Sequence, residues 1–83
     1  MSKLDNILEV YPDEELLKAD GFDDAIIGLE ANSMVLVYSI EKCIDILIEE
    51  GMEYEDAIEH MDYNVIGSYV GDKTPIWIYT FQD

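Results

Sequence analysis

The sequence contains no arginine and only four lysines, against 20 aspartates and glutamates among 83 residues, so its formal net charge is −16. This shortage of positive charge excludes direct binding to nucleic acid, because the phosphates would repel the chain. It excludes a membrane surface rich in anionic lipid for the same reason. Self-repulsion on this scale opposes compaction, so we infer that a partner or the environment favours the charge.

Cysteine and long apolar runs are also scarce. The single cysteine, Cys43, cannot form an internal disulfide, which is typical of a reducing cytoplasm. Apolar runs such as residues 33–40 are far shorter than the roughly 20 residues needed to cross a bilayer. No basic segment followed by an apolar one indicates a signal peptide. We therefore expect a cytoplasmic protein that is neither secreted nor inserted in a membrane.

What the chain does contain is apolar residues in short, regular patterns, and its length suits one domain spanning residues 1–83. Residues 1–20 are predicted to form a helical arm, with a second helix starting at Pro12. Residues 21–83 follow a ββααβ order: strands over 25–31 and 33–38, a helix to about Glu50, a helix from about Tyr54, and a strand over 76–81. The hairpin turns at Asn32, a residue that tolerates a positive φ. Ser39 is the predicted N-cap of the first helix, and Gly51 is predicted to end it. This order predicts an α+β fold in which a three-stranded antiparallel sheet, formed by the hairpin and the C-terminal strand, is covered by a two-helix hairpin.

Several short motifs occur in a distinctive order between residues 21 and 78, which is about 70% of the chain. They read DDA-(apolar)-(apolar)-G at 23–28, YSIEK at 38–42, GM-x-YEDA at 51–57 and YN-x-x-G-x-YVG-x-x-TPI at 63–76. In this layout the chain resembles small, acidic, uncharacterised proteins of bacteriophages and bacteria. The resemblance implies a phage or prophage setting, hence the cytoplasm of a host cell, and it implies no activity. Glu53 departs from the expected pattern, since Thr or Ser would cap the following helix better.

Six acidic residues follow helical spacing on the two central helices. Carboxylates four positions apart lie about 6 Å apart along a helix axis, and like charges at that spacing cost about 0.2–0.5 kcal/mol per pair. Such a row can imitate a phosphate backbone and occupy the basic groove of a nucleic-acid-binding protein. The alternative interpretation is a solvated face in an acidic proteome or a salt-rich habitat. The six are Glu41, Asp45 and Glu49 on the first helix, and Glu55, Glu59 and Asp62 on the second.

A second candidate interface is aromatic and comprises Tyr63, Tyr69, Trp77 and Tyr79. Aromatic side chains with hydrogen-bonding ends are enriched at protein interfaces. The alternative interpretation places Trp77 in the core. If the edge of the last strand carries this interface, the protein is a homo-oligomeric structural or regulatory module, whose association persists in high salt.

No catalytic, metal or cofactor site is predicted. The acidic residues between Asp20 and Glu30 lack the order of a calcium loop, and Cys43 and His60 are isolated from other zinc ligands. Cys43 lies on an apolar helix stripe, where a thiol is inert. The leading hypothesis is therefore a non-catalytic acidic protein that binds and inhibits a basic host protein: a nuclease, a defence factor or a nucleic-acid enzyme. A small enzyme or ligand-binding protein is the third hypothesis.

Overall fold

A computed structural model of the chain describes residues 3–14, 16–66 and 71–81. The elements confirm the predicted α+β class, and the hairpin, the two helices and the last strand follow in the predicted order. They are α1 (Lys3–Val10), a 3₁₀ turn (Asp23–Ala25), β1 (Ile26–Leu29), β2 (Leu36–Ser39), α2 (Ile40–Glu49), α3 (Tyr54–His60), a π-helical segment (Met61–Ile66) and β3 (Ile76–Ile78).

The sheet is mixed, with strand order β1-β2-β3. β1 and β2 pair antiparallel as predicted, but β3 runs parallel to β2, so the prediction of a wholly antiparallel sheet was wrong for this strand. The reason lies in the connection between them. Residues 40–75 carry both helices, and a connection of this length allows the crossover that parallel pairing requires.

Within the described residues of the N-terminal arm, the helix covers Lys3–Val10 and packs against β1. The second helix predicted from Pro12 does not form in the described residues 11–14 and 16–20, which are turn and irregular chain. A short isolated helix is marginal without tertiary support, and here the backbone finds another partner. The Ala19 N–H donates to the hydroxyl oxygen of Tyr38 at 2.8 Å, which ties this non-helical part of the arm to β2.

The β1–β2 hairpin contains two irregularities that local patterns did not predict. A bulge between Ile26 and Gly28 interrupts the alternation of β1. The positive φ expected at Asn32 occurs instead at Met34, where φ is 55°. The carboxylate of Glu30 accepts hydrogen bonds from the backbone N–H groups of Asn32 (3.1 Å) and Ser33 (2.6 Å), so Glu30 organises this turn.

Both ends of α2 follow the sequence signals. The Ser39 hydroxyl oxygen accepts a hydrogen bond from the Lys42 N–H at 3.3 Å, which confirms Ser39 as the N-cap. At the other end Gly51 has φ 106°, and the N–H groups of Gly51 and Met52 donate to the carbonyls of Ile48 and Leu47. This is the Schellman arrangement that glycine favours. Glu53 precedes α3 without a capping side-chain hydrogen bond, as its departure from the motif suggested.

One apolar cluster joins the sheet to the helices, with α2 packed against β2 and α3 against α2. Leu36 and Tyr38 lie fully buried on the same face of β2. Cys43 is also fully buried, as predicted, and its burial raises the pKa of the thiol to about 12. The buried members are Leu4, Phe22, Ala25, Ile26, Leu36, Tyr38, Cys43, Leu47, Ala57 and Met61.

Candidate functional site

The outer faces of α2 and α3 carry most of the predicted acidic residues. Ile40, Cys43 and Leu47 mark the buried side of α2, and the buried Ala57 marks that of α3. At 100° per residue, positions 45 and 49 lie opposite the buried side of α2, and positions 55 and 59 lie opposite that of α3. The structure confirms the exposure of five of the six predicted side chains: Asp45, Glu49, Glu55, Glu59 and Asp62.

These carboxylates have little positive charge around them. The ion pairs Lys18–Asp23 (3.6 Å) and Lys73–Glu14 (3.5 Å) involve none of the five. Lys42 lines an open, shallow depression beside α2 together with two of them, and it is the only lysine between residues 40 and 66. Three further carboxylates of the same region are exposed, which extends the negative surface beyond the predicted spacing. They are Glu50, Glu53 and Asp56.

The sixth predicted residue, Glu41, occupies a different environment. Its carboxylate accepts hydrogen bonds from the backbone N–H of Thr80 (2.8 Å), the backbone N–H of Phe81 (2.9 Å) and the Thr80 hydroxyl (3.0 Å). The two backbone hydrogen bonds are the main reason that the pKa of Glu41 falls to about 2. Glu41 is half-buried and holds the chain that follows β3, so its carboxylate is already used within the molecule.

The second candidate interface is divided by the fold. Trp77 stacks on Tyr38 with ring centroids 4.5 Å apart and meets the edge of Phe22 at 6.4 Å, so it packs against the core. The strand register explains the contact between Trp77 and Tyr38, because Ile26, Tyr38 and Trp77 lie side by side in one row across the three strands. Tyr63 and Tyr79 are exposed, and Tyr69 lies outside the described residues.

Phe81 is a surface residue that the sequence interpretation missed. It is exposed, and its ring lies 6.2 Å from that of Tyr79. The signal for it was the i, i+2 spacing from Tyr79 within the strand predicted over 76–81. In the structure β3 ends at Ile78, and the two rings come together although Phe81 has a left-handed backbone. The surface aromatic pair of this region is thus Tyr79 with Phe81, whereas Trp77 is half-buried against the core.

Two of the acidic residues between Asp20 and Glu30 have partners within the chain. Asp23 pairs with Lys18, and Glu30 organises the hairpin turn. Within residues 3–14, 16–66 and 71–81, no group of three or more histidine, cysteine or carboxylate side chains is arranged to hold a metal ion. Among the helices of these residues, none has the length and apolar composition needed to cross a membrane.

No family model, no curated protein and no solved structure matches this chain. The resemblance to acidic phage and bacterial proteins therefore stays a prediction from its motifs. The surface itself defines the candidate site as a helical acidic face, which consists of Asp45, Glu49, Glu55, Glu59 and Asp62.

Proposed function

We propose that this chain is a non-catalytic, phage-encoded interaction protein that binds and inhibits a basic host protein in the host cytoplasm. The helical acidic face takes the place of a nucleic acid backbone in the partner's basic groove. A nuclease, a defence factor or a nucleic-acid enzyme has the required groove. The observation that carries the proposal is the exposure of carboxylates at helical spacing with a single lysine among them.

The energetic argument concerns what these charges do in the free protein. Carboxylates four positions apart repel one another, and each such pair costs about 0.2–0.5 kcal/mol. A complementary basic surface removes this repulsion and accelerates encounter through electrostatic steering. The acidic face therefore stabilises a complex while it destabilises the isolated domain, and this opposition can be measured.

Neutralising Asp45, Glu49, Glu55 and Glu59 to their amides is expected to raise the melting temperature slightly and to weaken partner capture. Asp62 is left unchanged because it lies in the π-helical segment, off the α-helical spacing. The measurement is retention of basic proteins from a bacterial lysate on the immobilised chain, with elution by salt and by excess duplex DNA. Wild type is expected to release its partner in both eluents.

The matched control removes the same number of charges elsewhere, at the exposed residues Glu9, Asp13, Asp20 and Asp72. It is expected to capture the partner much as wild type does. If the two variants lose the partner equally, net charge alone explains binding. If the helix variant still captures the partner with wild-type salt dependence, phosphate imitation is wrong.

A further inference from the structure

The chain that follows β3 presents two aromatic rings to solvent. Tyr79 is 57% exposed and Phe81 is 86% exposed, and their ring centroids lie 6.2 Å apart at an interplanar angle of 39°. The adjoining Trp77 faces the core, so these rings are not needed to close the interior. We call this feature the aromatic pair.

The backbone that carries the aromatic pair is held in place. Glu41 accepts hydrogen bonds from the N–H groups of Thr80 and Phe81, and the hydroxyls of Ser39 and Thr80 lie 3.1 Å apart. Phe81 has φ 53°, a left-handed conformation that an aromatic residue rarely adopts and that these contacts maintain. A surface fixed before binding loses less conformational entropy when a partner arrives.

The position of the aromatic pair indicates the chemistry of its partner. Glu41, which holds the pair, is the first member of the acidic row on α2, and Asp45 follows one helical turn later. The face of an aromatic ring attracts a cation, and a guanidinium also stacks on it. The chain has no arginine of its own to occupy the rings. A second copy carries the same charge of −16, which opposes self-association here.

We propose that the aromatic pair is a docking site for an arginine side chain on the basic partner. This inference rests on the proposed function and adds to it a residue type that the partner must present. Lysine and arginine both interact with the acidic face through charge and are both attracted to a ring face, but only the planar guanidinium also stacks on the rings. The site therefore distinguishes arginine-rich from lysine-rich surfaces.

The test uses two fluorescently labelled peptides, octa-arginine and octa-lysine, titrated by anisotropy at low salt. Wild type is expected to bind octa-arginine about fivefold more tightly than octa-lysine, as ring–cation contacts at exposed sites allow. The double variant Tyr79→Ala with Phe81→Ala is expected to lose that preference, because its affinity falls further for octa-arginine than for octa-lysine. Unaltered protection of the buried Cys43 thiol shows that each variant is folded.

The matched control removes two other exposed aromatic rings, through Tyr54→Ala and Tyr63→Ala, at residues that are 61% and 81% exposed. It is expected to keep the preference for arginine. The inference is overturned if the Tyr79/Phe81 variant keeps that preference, or if the control loses it equally. A concentration-dependent dimer that disappears in the Tyr79/Phe81 variant also overturns it, because a second copy is then the occupant.

The two proposals fail separately. The variant with four neutralised helix carboxylates is expected to bind both peptides more weakly, whatever the state of the aromatic pair. Loss of binding there, combined with an unchanged arginine preference in the Tyr79/Phe81 variant, leaves the acidic face supported and the arginine site rejected. Unchanged binding in the helix variant rejects the proposed function itself.

Discussion

Replacing Tyr38 with alanine is expected to destabilise the domain by about 3–5 kcal/mol, the usual range for deleting a buried aromatic side chain. The side chain is fully buried, stacks on Trp77, and accepts the Ala19 N–H through its hydroxyl oxygen. One substitution thus removes the stacking contact with β3, removes the hydrogen bond to the arm, and leaves a cavity in the core. Urea unfolding followed by far-ultraviolet circular dichroism measures the loss.

Two companion variants separate the contributions of Tyr38. Tyr38→Phe keeps the stacking and leaves the Ala19 N–H without its acceptor, so a loss of about 1–2 kcal/mol is expected. Tyr54→Ala removes an exposed tyrosine and is expected to change stability by no more than about 0.5 kcal/mol. If Tyr38→Ala lowers the free energy of unfolding no more than Tyr54→Ala does, the contacts of Tyr38 with the arm, β3 and the core do not stabilise the fold.

Glu41→Gln is expected to lower the melting temperature at pH 7, although it removes one charge from a chain with an excess of negative charge. The glutamine side chain keeps one oxygen and has an NH2 donor in place of the second, so either the Thr80 or the Phe81 N–H group faces a donor where the carboxylate accepts. Asp45→Asn makes the same charge change one turn along α2, at an exposed side chain. It is expected to leave the melting temperature unchanged or slightly raised.

The pH dependence of this effect follows from the pKa of Glu41. The ordinary value of 4.5 falls to about 2 in the folded protein, so the carboxylate stabilises the fold fully above about pH 4.5. That stabilisation is lost as the pH falls toward 2. The difference in melting temperature between wild type and Glu41→Gln should therefore be largest near neutrality and shrink below pH 4.5. A difference that stays constant from pH 7 to pH 2.5 would contradict the carboxylate's role.

The sequence predicted those features that depend on neighbours along the chain. Ser39 and Gly51 marked the ends of α2, and the apolar spacing placed Cys43 inside. The same helical spacing predicted which carboxylates of the acidic face lie exposed. These signals are local, since capping and helix periodicity involve residues within about five positions of one another.

What the sequence did not predict depends on distant partners. Glu41 has the spacing of a surface residue, and only the return of the chain 39 positions later gives it hydrogen-bond donors. The direction of β3 depends on how two helices cross the sheet, which no strand pattern records. Likewise the Ala19 N–H donates to the Tyr38 hydroxyl, 19 positions along the chain, and not to a carbonyl of a helix.

The parallel pairing of β3 with β2 has a consequence for the order of folding. The hairpin forms by closing a loop of residues 30–35. β3 can pair with β2 only after the much longer segment of residues 40–75 has closed. Closing the longer loop costs more entropy, so the hairpin and α2 are expected to form the folding nucleus before β3 and the Glu41 hydrogen bonds. Stopped-flow kinetics of Glu41→Gln should then show faster unfolding with a nearly unchanged refolding rate.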